Sequence, residues 1–236
     1  SYNYRFHESY RGGETNRNNL FDDYSNFIFS KNDSKFKRFS GNINLGLDVD
    51  VTDKATISFG NVITGNGGPR DEINYTNFYD SDELYYGGFA RTSDGNRKSY
   101  NNNSTFNYAQ KFKNKGQLLN VSANFVIGKS LNDKDYMQLN YDEDEYPIEL
   151  IPQQEFNSSI EKNIESSIQA DYTHPFKKHG ELEAGIKLTY REFYSDFYAD
   201  SLDRSIQETI YNAELSNSFL YNEIVNAAYV TFGGKV

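Results

Sequence analysis

The chain has 236 residues, of which 36% are hydrophobic and 16% aromatic, with 20 Tyr, 18 Phe and no Trp. That is little aliphatic material for a soluble core, and far too many aromatics for a disordered chain. The formal net charge of −10 excludes a phosphate-backbone binder, so no nucleic acid partner is expected, and the absence of Cys excludes disulfides and thiolate metal sites.

Period-2 alternation predicts strands, taken here in chain order. Tyr2, Tyr4 and Phe6 open a weak strand at 1–10. Ile43, Leu45, Leu47, Val49 and Val51 alternate with Asn44, Gly46, Asp48 and Asp50, predicting a strand over 38–51. After the turn VTDKA (51–55), Ala55, Ile57 and Phe59 begin a strand at 55–66, and Phe106 and Tyr108 belong to one at 99–112. After the turn FKNKG (112–116), Leu119, Val121, Ala123, Phe125 and Ile127 alternate with polar residues in a strand at 117–128. Ile164, Ile168, Ala170 and Tyr172 mark 160–174, and the turn PFKKHG (175–180) leads to Leu182, Ala184, Ile186, Leu188 and Tyr190 in 181–195. The last strand, 218–232, is ambiguous: either Val225, Ala227 and Tyr229 or Ala228, Val230 and Phe232 form its apolar face.

The connections set the architecture. Tight turns alternate with long polar stretches at 11–37, 66–98, 129–160 and 195–217, which are expected to be loops. Short turns on one side and long loops on the other describe an up-and-down outer-membrane barrel, and all four Pro fall in the proposed turns and loops. The long stretch at 129–160 is acidic while the tight turns carry Lys54, Lys113, Lys115, Lys177 and Lys178. No internal repeat beyond the hairpin is evident. The expected fold is all-β, an antiparallel up-and-down transmembrane β-barrel segment of about eight strands. Leu45, Leu47, Ile57, Phe125, Ile168, Ile186 and Leu188 would meet lipid, with Phe112, Tyr172, Tyr190 and Phe193 in aromatic girdles.

Two loops hold candidate sites. Tyr75, Phe78, Tyr79, Asp80, Asp82, Tyr85 and Tyr86 interleave aromatic faces with carboxylates, a set suited to a sugar, a peptide or a metal chelate, or simply to packing of the loop on its neighbours. The run containing Asp142, Asp144 and Glu145 has the hard-oxygen chemistry of a calcium site without EF-hand spacing, and such acidic runs are usually just solvated. His7, His174 and His179 have no metal spacing, and with no G-x-S-x-G and no Cys there is no nucleophile motif. The chain is read as not an enzyme, with no cofactor. The segment 201–215 fits a short helix led by Ser201, or a strand pair.

Four segments resemble the outer-membrane β-barrel proteins related to TonB-dependent receptors, in the same order as in that family. They are YNYRFHESYRGGETNRNN (2–19), NYAQKFKNKGQLLNVSANF (107–125), ADYTHPFKKHGELEAGIKLTYREFYSDF (170–197) and LSNSFLYNEIVNAAYVTFGGKV (215–236). These are strand and turn motifs, informative about architecture and hardly at all about substrate. The resemblance implies a barrel of about 22 strands in a Gram-negative outer membrane, so residues 1–236 would be a partial barrel without its plug, the turn-like Gly233–Val236 leading onward. It also implies nutrient uptake. The implied partners are outer-membrane lipid and lipopolysaccharide, the remainder of the barrel and its plug, and a TonB-type energy-coupling protein, with room for a surface lipoprotein. A structural or adhesive barrel without transport and a soluble β-sandwich binding module are the alternatives.

Overall fold

The computed structural model describes residues 1–20, 25–176 and 180–234. They form one antiparallel sheet of nine strands: β1 (Tyr2–Leu20), β2 (Ser25–Thr52), β3 (Ala55–Tyr79), β4 (Tyr85–Lys111), β5 (Leu118–Tyr141), β6 (Gln153–Phe176), β7 (Gly180–Asp203), β8 (Glu208–Tyr211) and β9 (Asn217–Gly233). Each strand from β1 to β7 pairs with the next in sequence. β8 pairs with the outer end of β7 and β9 with the rest of it. Together β8 and β9 therefore act as one interrupted eighth strand, in line with the expected meander.

The sheet is a single layer. Ala55 and Ala199 are the buried hydrophobic residues among those described, and the accessible surface is 16396 Å². A compact monomer of this mass would expose about 11,000 Å². The apolar side chains are gathered on one face instead of in a core. Val49, Ile57, Tyr108, Val121, Ala170, Ile186 and Ala228 stand opposite one another across seven strands, and Leu47, Phe59, Phe106, Ala123, Ile168 and Leu188 across six. Leu47 is 60% exposed and Ile186 64%, values that suit a hydrocarbon-facing wall and not a water-facing one. The same register resolves β9: Ala228, Val230 and Phe232 share the apolar face, and Val225, Ala227 and Tyr229 the polar one.

The polar face carries Asn107, Ser122, Gln169 and Lys187 in one row and Thr105, Asn124, Ser167 and Thr189 in the next. At the short-turn rim an aromatic belt closes the apolar face. Phe112 meets Tyr172 edge-on at 6.1 Å, His174 packs on Phe176 at 4.8 Å, and Phe176 approaches Phe232 at 6.3 Å. Tyr190 lies on the apolar face too. Phe193 does not: three residues from Tyr190, it has the opposite parity and packs on Phe219 at 5.5 Å on the polar face.

The main correction concerns the long polar stretches, which are not loops. β3 and β4 run 25 and 27 residues, whereas a tilted strand crosses hydrocarbon in about 9–11. Roughly half of each strand continues the ladder beyond the apolar band, with polar side chains on both faces and hence no alternation to detect. Residues 66–79 and 85–98 pair almost without interruption. The true tips are short, at 80–84, 142–152, 204–207 and 212–216. The segment 201–215 is not helical: Ser201, Leu202 and Asp203 pair with Ile210, Thr209 and Glu208. The expected turn residues Lys177, Lys178 and His179 lie outside the described residues.

In the full-length protein, Leu188→Arg sets a cation in the middle of the apolar face and is expected to cost about 2–4 kcal/mol, while Ser122→Lys on the polar face costs under ~1 kcal/mol. Urea unfolding from lipid vesicles, followed by heat-modifiable gel mobility, measures both. Equal losses would contradict the assignment of the two faces.

Candidate functional site

The outer hairpins need side chains to hold them, because no second layer covers them. On the polar face the strands supply a cluster that spans β1 to β6. Phe36 lies under two guanidinium groups, Arg11 at 5.3 Å and Arg70 at 4.4 Å from the ring centre. Tyr136 is flanked in the same way by Arg91 at 4.3 Å and Lys134 at 4.7 Å. Glu72 joins the two halves. It accepts from Arg70 on one carboxylate oxygen and from Lys134 at 2.9 Å on the other, where the Ser93 hydroxyl also donates at 3.4 Å. Glu155 binds Arg91 at 3.2 Å. Register explains the assembly, since Phe36 stands opposite Arg70, Tyr136 opposite both Ser93 and Glu155, and Lys134 opposite Gly95.

The electrostatics follow from this geometry. Burial raises the proton affinity of Glu72, but Lys134 and Arg70 outweigh it and hold the carboxyl below its ordinary value of 4.5. At neutral pH the cluster therefore holds Glu72 as an anion among four cations. A polar ligand would meet guanidinium forks, a fixed carboxylate and two aromatic edges, which suits hydroxyl- and carboxylate-bearing molecules.

The seven residues singled out around 75–86 are divided by the sheet. Phe78 packs on Tyr86 and on Phe89, each at 6.1 Å, on the polar face above the cluster. Tyr79 and Tyr85 form a separate pair at 5.8 Å, and Tyr79 accepts from Asn77 on the opposite face, which Tyr75 shares by parity. Asp80 has a local role. Its Oδ1 accepts the amides of Asp82 and Leu84, both at 2.9 Å, and Glu83 takes a φ of 61° to close the turn. This is a three-residue hairpin loop with a left-handed third position.

The acidic run repeats the device. Asp142 Oδ1 accepts the amides of Asp144 at 3.1 Å and Tyr146 at 2.9 Å, and Glu145 has a φ of 63°. So Asp-x-Asp-Glu is a turn signature used twice, and it accounts for acid clustering at both tips. A third tip is similar, with Asp203 accepting from Ser205 at 2.8 Å and Gln207 at a φ of 56°. The two repeated tips lie close together. Burial first, then the charges of Glu145 and Asp142, raise the Tyr85 phenol above its ordinary value.

On the apolar side of the outer hairpins, Asp71, Asp94 and Asp135 stand directly opposite one another on β3, β4 and β5. They border a groove of about 870 Å³ with Tyr10, Asp33 and Phe156. Among the described residues, no three carboxylates or histidines gather in an arrangement that would hold a metal ion. His174 Nδ1 lies 3.2 Å from the Tyr172 hydroxyl inside the aromatic belt.

Chain order concealed the cation–aromatic cluster, whose eight members are scattered from Arg11 to Glu155. The one local trace is the i, i+2 pattern of Arg70-x-Glu72 and Lys134-x-Tyr136, which puts both residues of each pair on one face.

Two outcomes test this description. Because the folded Glu72 has a depressed proton affinity, its stabilisation is complete above about pH 4.5 and is lost as the pH falls through its folded value. Amide exchange in the outer halves of β3, β4 and β5 is therefore expected to accelerate on acidification, and Glu72→Gln to reproduce the change at neutral pH, where trypsin then cuts after Arg70 or Lys134. Separately, Asp80→Ala is expected to speed exchange at Asp82 and Leu84 roughly fivefold, the equivalent of about 1 kcal/mol. Unchanged rates would mean that the carboxylate does not hold the turn.

Comparison with known proteins agrees with the geometry. The outer membrane protein beta-barrel family matches residues 110–236, just over half of the chain. No curated protein matches it. Among solved structures, the outer membrane protein OprD from Pseudomonas aeruginosa aligns over 98% of this chain and 92% of its own, at 6% identity and a TM-score of 0.14, too low to equate the two folds. A single-layer antiparallel meander with one hydrocarbon-fit face and a family match across its second half lead to one conclusion: the chain belongs to the outer membrane protein β-barrel family and resides in the outer membrane.

Proposed function

We propose that these strands are the wall and outer hairpins of a barrel that takes up a nutrient across the outer membrane, with TonB-type coupling acting through a plug. The observation that carries this reading is the continuity of the polar face. The Asn-, Ser- and Thr-rich rows within the membrane lead directly to the cluster of Arg11, Phe36, Arg70, Glu72, Arg91, Lys134 and Tyr136 outside it. Turned inward, that face would line a hydrated passage with a ligand-contacting zone at its mouth.

The partners in this reading follow from the sheet edges. Among the described residues β1 pairs with β2 alone and β9 with β7 alone. Unpaired backbone groups cost several kcal/mol each in hydrocarbon, so both edges must find neighbouring strands in the membrane. Further strands of the same barrel fill that role, and a surface lipoprotein would sit over the hairpin tips. No catalysis is assigned. The tall hairpins also suit an adhesive barrel, which the same experiment separates.

Deleting the gene is expected to lower uptake of one growth-limiting nutrient at least tenfold, with the same loss when the energy-coupling protein is removed. Arg91→Ala combined with Lys134→Ala in the full-length protein should raise the substrate concentration for half-maximal uptake while leaving barrel assembly intact. Unchanged uptake across a broad panel of sugars, peptides and metal chelates, accompanied by loss of surface adhesion, would replace import with the adhesive role.

A further inference from the structure

On its outer side the apolar face is broken by a row of cations, with one apolar pair, Leu131 and Ile160, immediately beyond. On β5 it runs from Leu119 to Ile127 and on β6 from Tyr172 back to Ile164, each within the roughly 9–11 residues of one tilted crossing. The next outward position on that face is Lys129 on β5 and Lys162 on β6, and these two residues are directly opposite one another. On β4, Tyr100 stands opposite Lys129, which places Lys98 diagonally beyond it on the same face. All three lysines are exposed. Tyr100 and Tyr194 flank the row, and the Lys162 ammonium lies 5.4 Å from the Tyr194 ring.

This arrangement is costly in isolation. Like charges directly opposite on paired strands repel. Among the described residues no carboxylate lies within 4.0 Å of any of the three, whereas Lys31, Lys35 and Lys134 each have one. The acids nearest by register sit diagonally, Glu192 and Asp196 from Lys162 and Asp133 from Lys98; the Tyr190 hydroxyl engages Glu192 at 2.7 Å and the Ser158 hydroxyl engages Asp133 at 2.8 Å. A chain of net charge −10 thus concentrates uncompensated cations at one level of its lipid-facing wall. That level is where the hydrocarbon gives way to outer-leaflet head groups, since the short turns lie on the periplasmic side.

We infer that Lys98, Lys129 and Lys162 form a binding site for the phosphates of a phosphorylated glycolipid of the outer leaflet, with Tyr100 and Tyr194 seated at the head-group level beside it. Ammonium groups on long flexible stems reach phosphate oxygens from a wall position, and interfacial tyrosines place their rings at the hydrocarbon boundary and their hydroxyls in the polar layer. The site faces away from the passage, so it stands independently of the import reading. Its ligand is structural lipid, not cargo.

The test uses the full-length protein in zwitterionic detergent, titrated with bis-phosphorylated lipid A, with enzymatically dephosphorylated lipid A and with inorganic phosphate. Phosphorylated lipid A is expected to bind at least tenfold more tightly than the dephosphorylated form. The Lys98→Gln, Lys129→Gln, Lys162→Gln triple variant should lose that preference, while the corresponding Arg triple variant and Lys187→Gln, on the polar face, keep it. Equal binding of the two lipids by wild type would overturn the site, as would an undiminished preference in the folded Gln variant. Saturation by micromolar inorganic phosphate alone would reassign it to a soluble anion. If the Gln variant fails to assemble, the wild-type comparison of the two lipids still decides. Failure here leaves nutrient uptake untouched, and failure of uptake leaves this site untouched.

Discussion

The whole structure depends on the backbone ladder between neighbouring strands. With Ala55 and Ala199 as its buried hydrophobics, the sheet has no core to hold its shape, and each strand is fixed by the amides and carbonyls of the strands beside it. Inside hydrocarbon this is enough, because an amide that leaves its partner finds no water to replace it. The apolar face then needs only to be apolar. It does not need to interdigitate with another layer, which explains how Leu45, Leu47 and Val49 can remain exposed without strain or loss.

Beyond the membrane the balance reverses. Water competes for every backbone group, and an isolated pair of strands is marginal. The outer halves therefore rely on side chains placed across strands. Arg70, Glu72 and Lys134 tie β3 to β5 across β4, Arg91 and Glu155 tie β4 to β6, and Arg204 reaches Glu149 at 3.2 Å to link two hairpin tips. Each contact is worth about 1 kcal/mol or less, but successive strands share them, so one ladder holds many. The tips add local order. Asp80 and Asp142 satisfy turn amides with their own carboxylates, and Glu83 and Glu145 accept a left-handed backbone at a cost of roughly 1–2 kcal/mol each.

This division explains what was legible in the sequence. Where one face meets lipid, alternation betrays the strand, and Leu119–Ile127 and Leu182–Tyr190 were readable residue by residue. Where both faces meet water, nothing alternates, so the outer halves of β3 to β7 read as loops although they continue the same ladder. Phe193 lies on the polar face although an aromatic near a strand end suggests a girdle, because its parity relative to Tyr190 decides the face. The segment after Asn217 left two faces open because both are apolar, and only pairing with β7 distinguished them. Asp80 and Asp142 looked like ligands because turn-capping acids and ligand acids have the same composition. The cation–aromatic cluster was invisible for a further reason: it exists only through the register of six strands.

Strand β5 shows how the sheet uses parity to give one residue type two roles. Lys129 and Lys134 are five residues apart and therefore face opposite sides. Lys134 on the polar face is neutralised within the chain by Glu72 and rests on Tyr136, so it rigidifies a wall that any passing ligand would meet in a fixed geometry. Lys129 on the lipid side has no carboxylate within 4.0 Å among the described residues and stands opposite another lysine. An exposed cation costs little in bulk water, but a row of them at the edge of an apolar band is repulsive until an anion arrives, and the outer-leaflet surface is rich in anions. The face whose Lys134 is paired within the chain can therefore hold its shape at any lipid composition, while the lipid-side lysines depend on the membrane around them. Exchanging the parity of these two lysines would leave composition and net charge unchanged, yet it would leave Glu72 with Arg70 as its one ion-pair partner inside and strip the lipid side of one of its three cations. The distribution of charge between faces, more than its amount, is what adapts this sheet to a membrane.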